Sequence, residues 1–118
     1  MLNCAIVMGR LTADPELRST PSGISVADFT VAVEKDYVKA GEERGVDFIN
    51  VVTWRHNAEF VTKHFKKGSL IVVQGRLESF MHKKEGTYFN SLKIVADSVG
   101  FAGAPTKRTV SDEGTTAD

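Results

Sequence analysis

Asp47-Phe48-Ile49-Asn50-Val51-Val52-Thr53-Trp54 is the stretch whose reading decides the fold. Successive side chains of a strand point to opposite faces, so Phe48, Asn50, Val52 and Trp54 share one face while Ile49, Val51 and Thr53 share the other. Both faces therefore carry large apolar groups, and one of them is available as a contact surface. The period leaves open which: Ile49 and Val51 can fill a core by themselves, and packing or stacking both suit Phe48 and Trp54.

Working outward, Ala27, Phe29, Val31 and Val33 alternate with Asp28, Thr30 and Glu34, the period of a half-buried strand. The polar run from Glu34-Lys35-Asp36 to Glu42-Glu43-Arg44-Gly45 joins it to Asp47–Trp54 as a hairpin loop. Its carboxylates Asp36, Glu42, Glu43 and Asp47 are interleaved with Lys35, Lys39 and Arg44, which reads as a solvated loop and not a metal site. Upstream, Asn3–Leu11 forms a first strand that ends before Asp14-Pro15, and Ser19-Thr20-Pro21-Ser22-Gly23 punctuates the chain.

Downstream, Asn57 is placed to cap a helix running through Lys67, with Phe60, Val61, His64 and Phe65 as its stripe and Gly68 as its stop. Ser69–Leu77 then reads as strand four, Lys83-Lys84-Glu85-Gly86 as a turn and Thr87–Ala96 as strand five. The pattern predicts an all-β domain: a five-stranded antiparallel barrel with one short helix between strands three and four, and Phe29, Phe60 and Phe65 in its core. From Ala102 to Asp118 the only large apolar residue is Val110, so residues 1–101 are expected to be the domain and 102–118 a short disordered tail.

The 118 residues carry fifteen Lys and Arg against fifteen Asp and Glu, which excludes a polycation, so any nucleic-acid surface must be a local patch. The single cysteine, Cys4, excludes an internal disulfide and a Cys-x-x-Cys metal site. The longest apolar stretch, Leu70 to Val73, is far too short to span a bilayer, and no leader pattern opens the chain, so a cytoplasmic protein without a membrane role is expected. His56, His64 and His82 are scattered, and no nucleophile, phosphate-loop or metal motif occurs, so neither catalysis nor a cofactor is expected.

What remains is a set of aromatics with cations between them. Tyr37, Phe48, Trp54, Phe80, His82 and Tyr88 fall where a sheet face and its hairpin tips meet, alongside Arg55, Arg76, Lys83 and Lys84. Rings stack on any base while cations meet phosphates, so this pattern suits single strands without a base-edge code. Asn50 shares the face of Phe48 and Trp54, and His56 follows Arg55.

Asn3…Val7-Met8-Gly9-Arg10-Leu11-Thr12-Ala13-Asp14-Pro15-Glu16-Leu17-Arg18 resembles the opening of bacterial single-stranded DNA-binding proteins. Phe29–Val33, Asp47–Arg55, Lys66-Lys67-Gly68-Ser69 and Gly75-Arg76-Leu77 follow in that family's order, over about residues 1–101. The resemblance implies an OB-fold that binds single-stranded DNA, commonly as a homotetramer whose dimers form through the first strand. It implies stacking by Tyr37, Phe48 and Trp54, and strand contacts by Arg18, Arg55 and Lys67.

Two departures stand out. His82 occupies the hairpin position where the family commonly has a large aromatic, with Phe80 nearby as a substitute platform. The chain closes in Thr-Thr-Ala-Asp and not in the family's acidic Ile-Pro-Phe tip, so recruitment of replication or repair proteins through such a tip is not expected. A primosome-type assembly module and an RNA-binding barrel are the alternative readings that the same pattern permits.

Overall fold

A computed structural model describes residues 1–36 and 39–103; Tyr37 and the predicted tail beyond Gly103 lie outside the described residues. Six strands and one helix follow in order: β1 (Ala5–Leu11), β2 (Glu16–Ser19), β3 (Ser25–Glu34), β4 (Val46–Trp54), α1 (Arg55–His64), β5 (Leu70–Lys84) and β6 (Thr87–Phe101). The sheet runs β1-β5-β6-β4-β3-β2, and a further pairing of β1 with β3 bends it into a ring. Arg10 and Leu11 make that closure against Ala32 and Val31.

The ring contains the five expected strands, and β2 is an addition that the sequence reading did not include. β3 is ten residues long, and β1 reaches only its second half. β2 covers the edge left over, pairing Glu16 with Asp28 and Arg18 with Val26. All four of its residues are exposed, so no alternation marks it. The remaining ladders are antiparallel as expected except for β4 against β6, a parallel contact of Val51 with Ile94 and Val52 with Val95.

The helix starts earlier and ends sooner than its sequence signals predict. Trp54 is its N-cap residue, without a capping side chain, and Phe65 its C-cap. Asn57 lies within the first turn and donates its amide to the Asp97 carbonyl at 3.1 Å, holding the helix to β6. Phe65 leaves the helix because its backbone is extended (φ −122°), which lets its buried ring stack on Phe101 at 4.8 Å.

Inside the ring Val31, Val51, Val61, Ile71, Val73 and Ile94 are at most 1% exposed. Full burial of such a side chain stabilises by ~1.5–3 kcal/mol. Phe29 and Phe65 join this core as expected, with Phe60 packed half-buried against it. Thr53 is also fully buried, and it is tolerated because its hydroxyl donates to the Ala27 carbonyl at 2.9 Å.

β5 and β6 run on far past the barrel, to Lys84 and from Thr87, where the sequence reading ended strand four at Leu77. Glu85 and Gly86 turn the chain with φ of +52° and +79°, the two positive values that match a tight hairpin turn to strand twist. Before it leaves the barrel the hairpin carries a register shift between Gln74 and Gly75, where Asp97 is the extra residue. A Cβ on Gly75 would sit 2.0 Å from the Val95 carbonyl oxygen, so only glycine allows the strands to approach there. At the same level Asn3 brackets the β5 backbone, donating its amide to the Leu77 carbonyl at 2.8 Å and accepting the Leu77 N–H at 2.9 Å.

Candidate nucleic-acid interface

The faces of β4 are unequal. Ile49, Val51 and Thr53 point into the barrel, while Phe48 is 66% and Trp54 41% exposed on its outside. The ambiguity of the opening stretch is resolved in favour of an outward aromatic face. Cross-strand register then fixes the neighbours: Trp54 lies opposite Val26, Val52 opposite Asp28 and Val95, and Asn50 opposite Thr30.

These outward positions form a groove of about 350 Å³ across β2, β3, β4, β6 and β5. Val52 and Val95 make its apolar floor, Trp54 and Phe80 supply rings, and Arg18, Arg76 and Lys93 supply cations. Two carboxylates, Asp28 and Glu78, also line it. Arg18 Nη2 donates to Asp28 Oδ2 at 2.6 Å and Arg76 Nη2 to Glu78 Oε2 at 3.1 Å. Lys93 stands opposite Glu78 in register, yet its ammonium sits 4.9 Å from the centre of the Phe80 ring. A cation over a ring face is held by the ring's quadrupole.

Of the residues expected from sequence, the groove brings together Arg18, Trp54, Arg76 and Phe80. Phe48 and Asn50 continue the same face along β4, where Thr30 Oγ1 donates to Asn50 Oδ1 at 2.9 Å. His82 and Lys84 continue it along the hairpin, since they alternate with Phe80, and His82 Nε2 is 3.0 Å from Ser91 Oγ.

The others are placed elsewhere. Lys83 and Tyr88 pair with one another on the reverse face of the hairpin, with the Lys83 ammonium 5.5 Å from the Tyr88 ring centre. Arg55 and His56 line a second depression with Gly23, Ile24, Ser25 and Glu59. Arg55 adopts φ +57°, the left-handed turn that swings the chain from β4 into α1. Lys67 follows α1, where its N–H donates to Asp14 Oδ1 at 2.7 Å, and it lines neither depression.

Lys93, Asp28 and Glu78 were absent from the sequence-based set. Glu78 could have been found as the same-face neighbour of Arg76 two residues along β5, whereas Lys93 and Asp28 show only through pairing: Lys93 lies opposite Glu78 and Asp28 opposite Val52. Among the described residues no group of three or more His, Cys, Asp or Glu is gathered to hold a metal ion. No helix among them is long and apolar enough to cross a membrane.

Comparison with known proteins agrees with this architecture. Residues 2–102 match the model of the single-strand binding protein family. A Staphylococcus aureus protein named single-stranded DNA-binding protein 1 is 48% identical over 102 residues, covering 86% of this chain and 65% of that one. A second from the same species, single-stranded DNA-binding protein 2, is 49% identical over 102 residues, covering 86% of this chain and 73% of its own length. The chain thus spans slightly under two thirds of the length of the first of these relatives. With the match running through every strand of the barrel and both strands of the hairpin, this chain belongs to the single-strand binding protein family.

Proposed function

We propose that this chain binds single-stranded DNA without marked sequence preference, by stacking bases on aromatic rings and meeting phosphates with arginine and lysine, and performs no bond chemistry. The observation that carries this reading is the groove in which Trp54 and Phe80 lie among Arg18, Arg76 and Lys93 on an apolar floor. Each base–aromatic stack contributes ~1–3 kcal/mol and tolerates any base. Phe48 and Asn50 extend the platform along β4, and His82 and Lys84 along the hairpin. Arg55, His56, Lys67, Lys83 and Tyr88 lie off the groove and serve a strand that wraps beyond it. The names of the relatives support the choice of ligand.

The DNA-binding unit in this reading is residues 1–101, with 102–118 as an appended tail. It assembles as a homotetramer, which is supported by the outward side chains of β1, where Ile6 is 64% and Met8 56% exposed. Such assembly multiplies linked sites and raises their effective concentration. The protein acts in the cytoplasm, associated with the nucleoid, coating strands exposed in replication, recombination, repair or DNA uptake.

Titration with oligo-dT of several lengths, followed through the single tryptophan, Trp54, tests the proposal. Quenching that saturates at a fixed nucleotide ratio and weakens with salt is expected. Absence of binding by anisotropy at low salt refutes it.

A further inference from the structure

Two of the three cations lining the groove are already engaged by carboxylates. Arg18 is paired with Asp28 at 2.6 Å, and Arg76 with Glu78 at 3.1 Å, with Asp97 a further 4.0 Å from its other nitrogen. The four side chains of the two close pairs are 44–59% exposed, so a strand reaches them as water does. Lys93 differs: it faces Glu78 in register but is held on the Phe80 ring.

A carboxylate and a phosphodiester offer a guanidinium the same thing, a pair of anionic oxygens. A phosphate that approaches Arg18 must therefore displace Asp28 or be repelled by it. Asp28 cannot retreat far, because it lies on β3 between Glu16 of β2 and Val52 of β4 in the cross-strand register. Glu78 is similarly placed opposite Lys93.

We propose that Asp28 and Glu78 are built-in competitors for the DNA backbone, occupying Arg18 and Arg76 until phosphates exchange for them, so that the groove binds less tightly and releases more readily than its cations alone dictate. Lys93 is then the cation a strand meets first, since it is held by a ring and no carboxylate has to leave it. This inference rests on the proposed DNA-binding reading and adds to it the role of the groove's anions. Exchange also predicts a weakened salt dependence. A bare cation releases the phosphate's counterion, ~0.7 per contact on single strands. A freed carboxylate recaptures part of that release.

The test uses the full chain and a fluorescent oligo-dT, with anisotropy read over a range of salt. Asp28→Asn and Glu78→Gln each keep shape and remove one charge. Each is expected to tighten binding about three- to tenfold, the effect of one charge a few ångströms away in a wet site, and to steepen the slope of log affinity on log salt. Arg18→Gln is then combined with Asp28→Asn; because the gain requires Arg18, it should fall below about twofold in that background. Unchanged or weaker binding by both single variants overturns the proposal, as does a gain that survives loss of Arg18, which would reflect net charge alone. Failure of the unaltered protein and of both variants to bind at low salt refutes DNA binding itself, whereas normal binding with unresponsive variants refutes only the competition.

Discussion

Replacing Trp54 by alanine removes the largest ring from the groove. About three-fifths of the Trp54 surface is covered by the protein, since 41% is exposed. Part of the ring is therefore open to a base, in a groove that Val52 and Val95 also line. Partial exposure places the stacking loss in the middle of the ~1–3 kcal/mol range, about 2 kcal/mol, or about 30-fold in affinity. Trp54→Phe keeps an aromatic platform and should lose no more than about threefold. Lost packing destabilises the alanine variant by roughly 1–2 kcal/mol, so binding is compared well below its melting temperature. Anisotropy of a labelled oligo-dT reads both variants, with circular dichroism confirming the fold. Affinity of the alanine variant within twofold of the parent refutes stacking by Trp54 and returns the ring to a packing role.

Three other outcomes follow from the same geometry. Gly75→Ala forces a Cβ to 2.0 Å from the Val95 carbonyl oxygen, with further backbone atoms at 2.8 and 2.9 Å, so the two strands must part. A loss of about 2–4 kcal/mol in denaturant unfolding is expected, against near-zero change at an exposed control position. His82→Trp places a large ring on the groove face of the hairpin, and oligo-dT affinity should rise about three- to tenfold in anisotropy titrations. Deleting residues 105–118, which carry two basic and three acidic side chains, should leave affinity for the same oligomer within about threefold.

Legibility followed burial. Where one face of a strand packs and the other does not, the period of two is plain, and β3 could be read from Ala27, Phe29, Val31 and Val33. β4 was found but its faces could not be told apart, because Val52 and Trp54 answer the floor and wall of the groove while Val51 answers the core. Past Leu77 the hairpin has solvent on both sides, so β5 carries no periodic signal there and is read too short; β6 is read from its true start at Thr87 but stopped at Ala96, because Asp97, the extra residue of the register shift, breaks the alternation before Val99 and Phe101. β2, with four exposed residues, was invisible for the same reason. The helix start was misplaced because Trp54 caps it without a side-chain bond.

The site divides along similar lines. Ring positions could be singled out as candidates because large aromatics exposed on loops and one sheet face are uncommon, and the arginines because they lie near them in the sequence or match the family's pattern. Asp28 and Lys93 were not singled out, since exposed charges are common and only the register shows which of them meet, and Glu78 was passed over although it stands two residues from Arg76 on the same face. The grouping of Lys83 and Tyr88 apart from Phe80 is likewise a matter of odd and even positions along one hairpin.

The clip formed by Asn3 on Leu77 marks a boundary in cooperativity. Below it, β5 is flanked on both sides, by β1 and β6; above it, from Glu78 to Lys84, the described residues pair it with β6 alone. Opening those rungs exposes little apolar core, so amides of the hairpin arm are expected to exchange with solvent through local fraying in a hydrogen-exchange experiment, and those of β3 and the lower part of β5 only through global unfolding. The molecule thus has two tiers of stability within one continuous sheet.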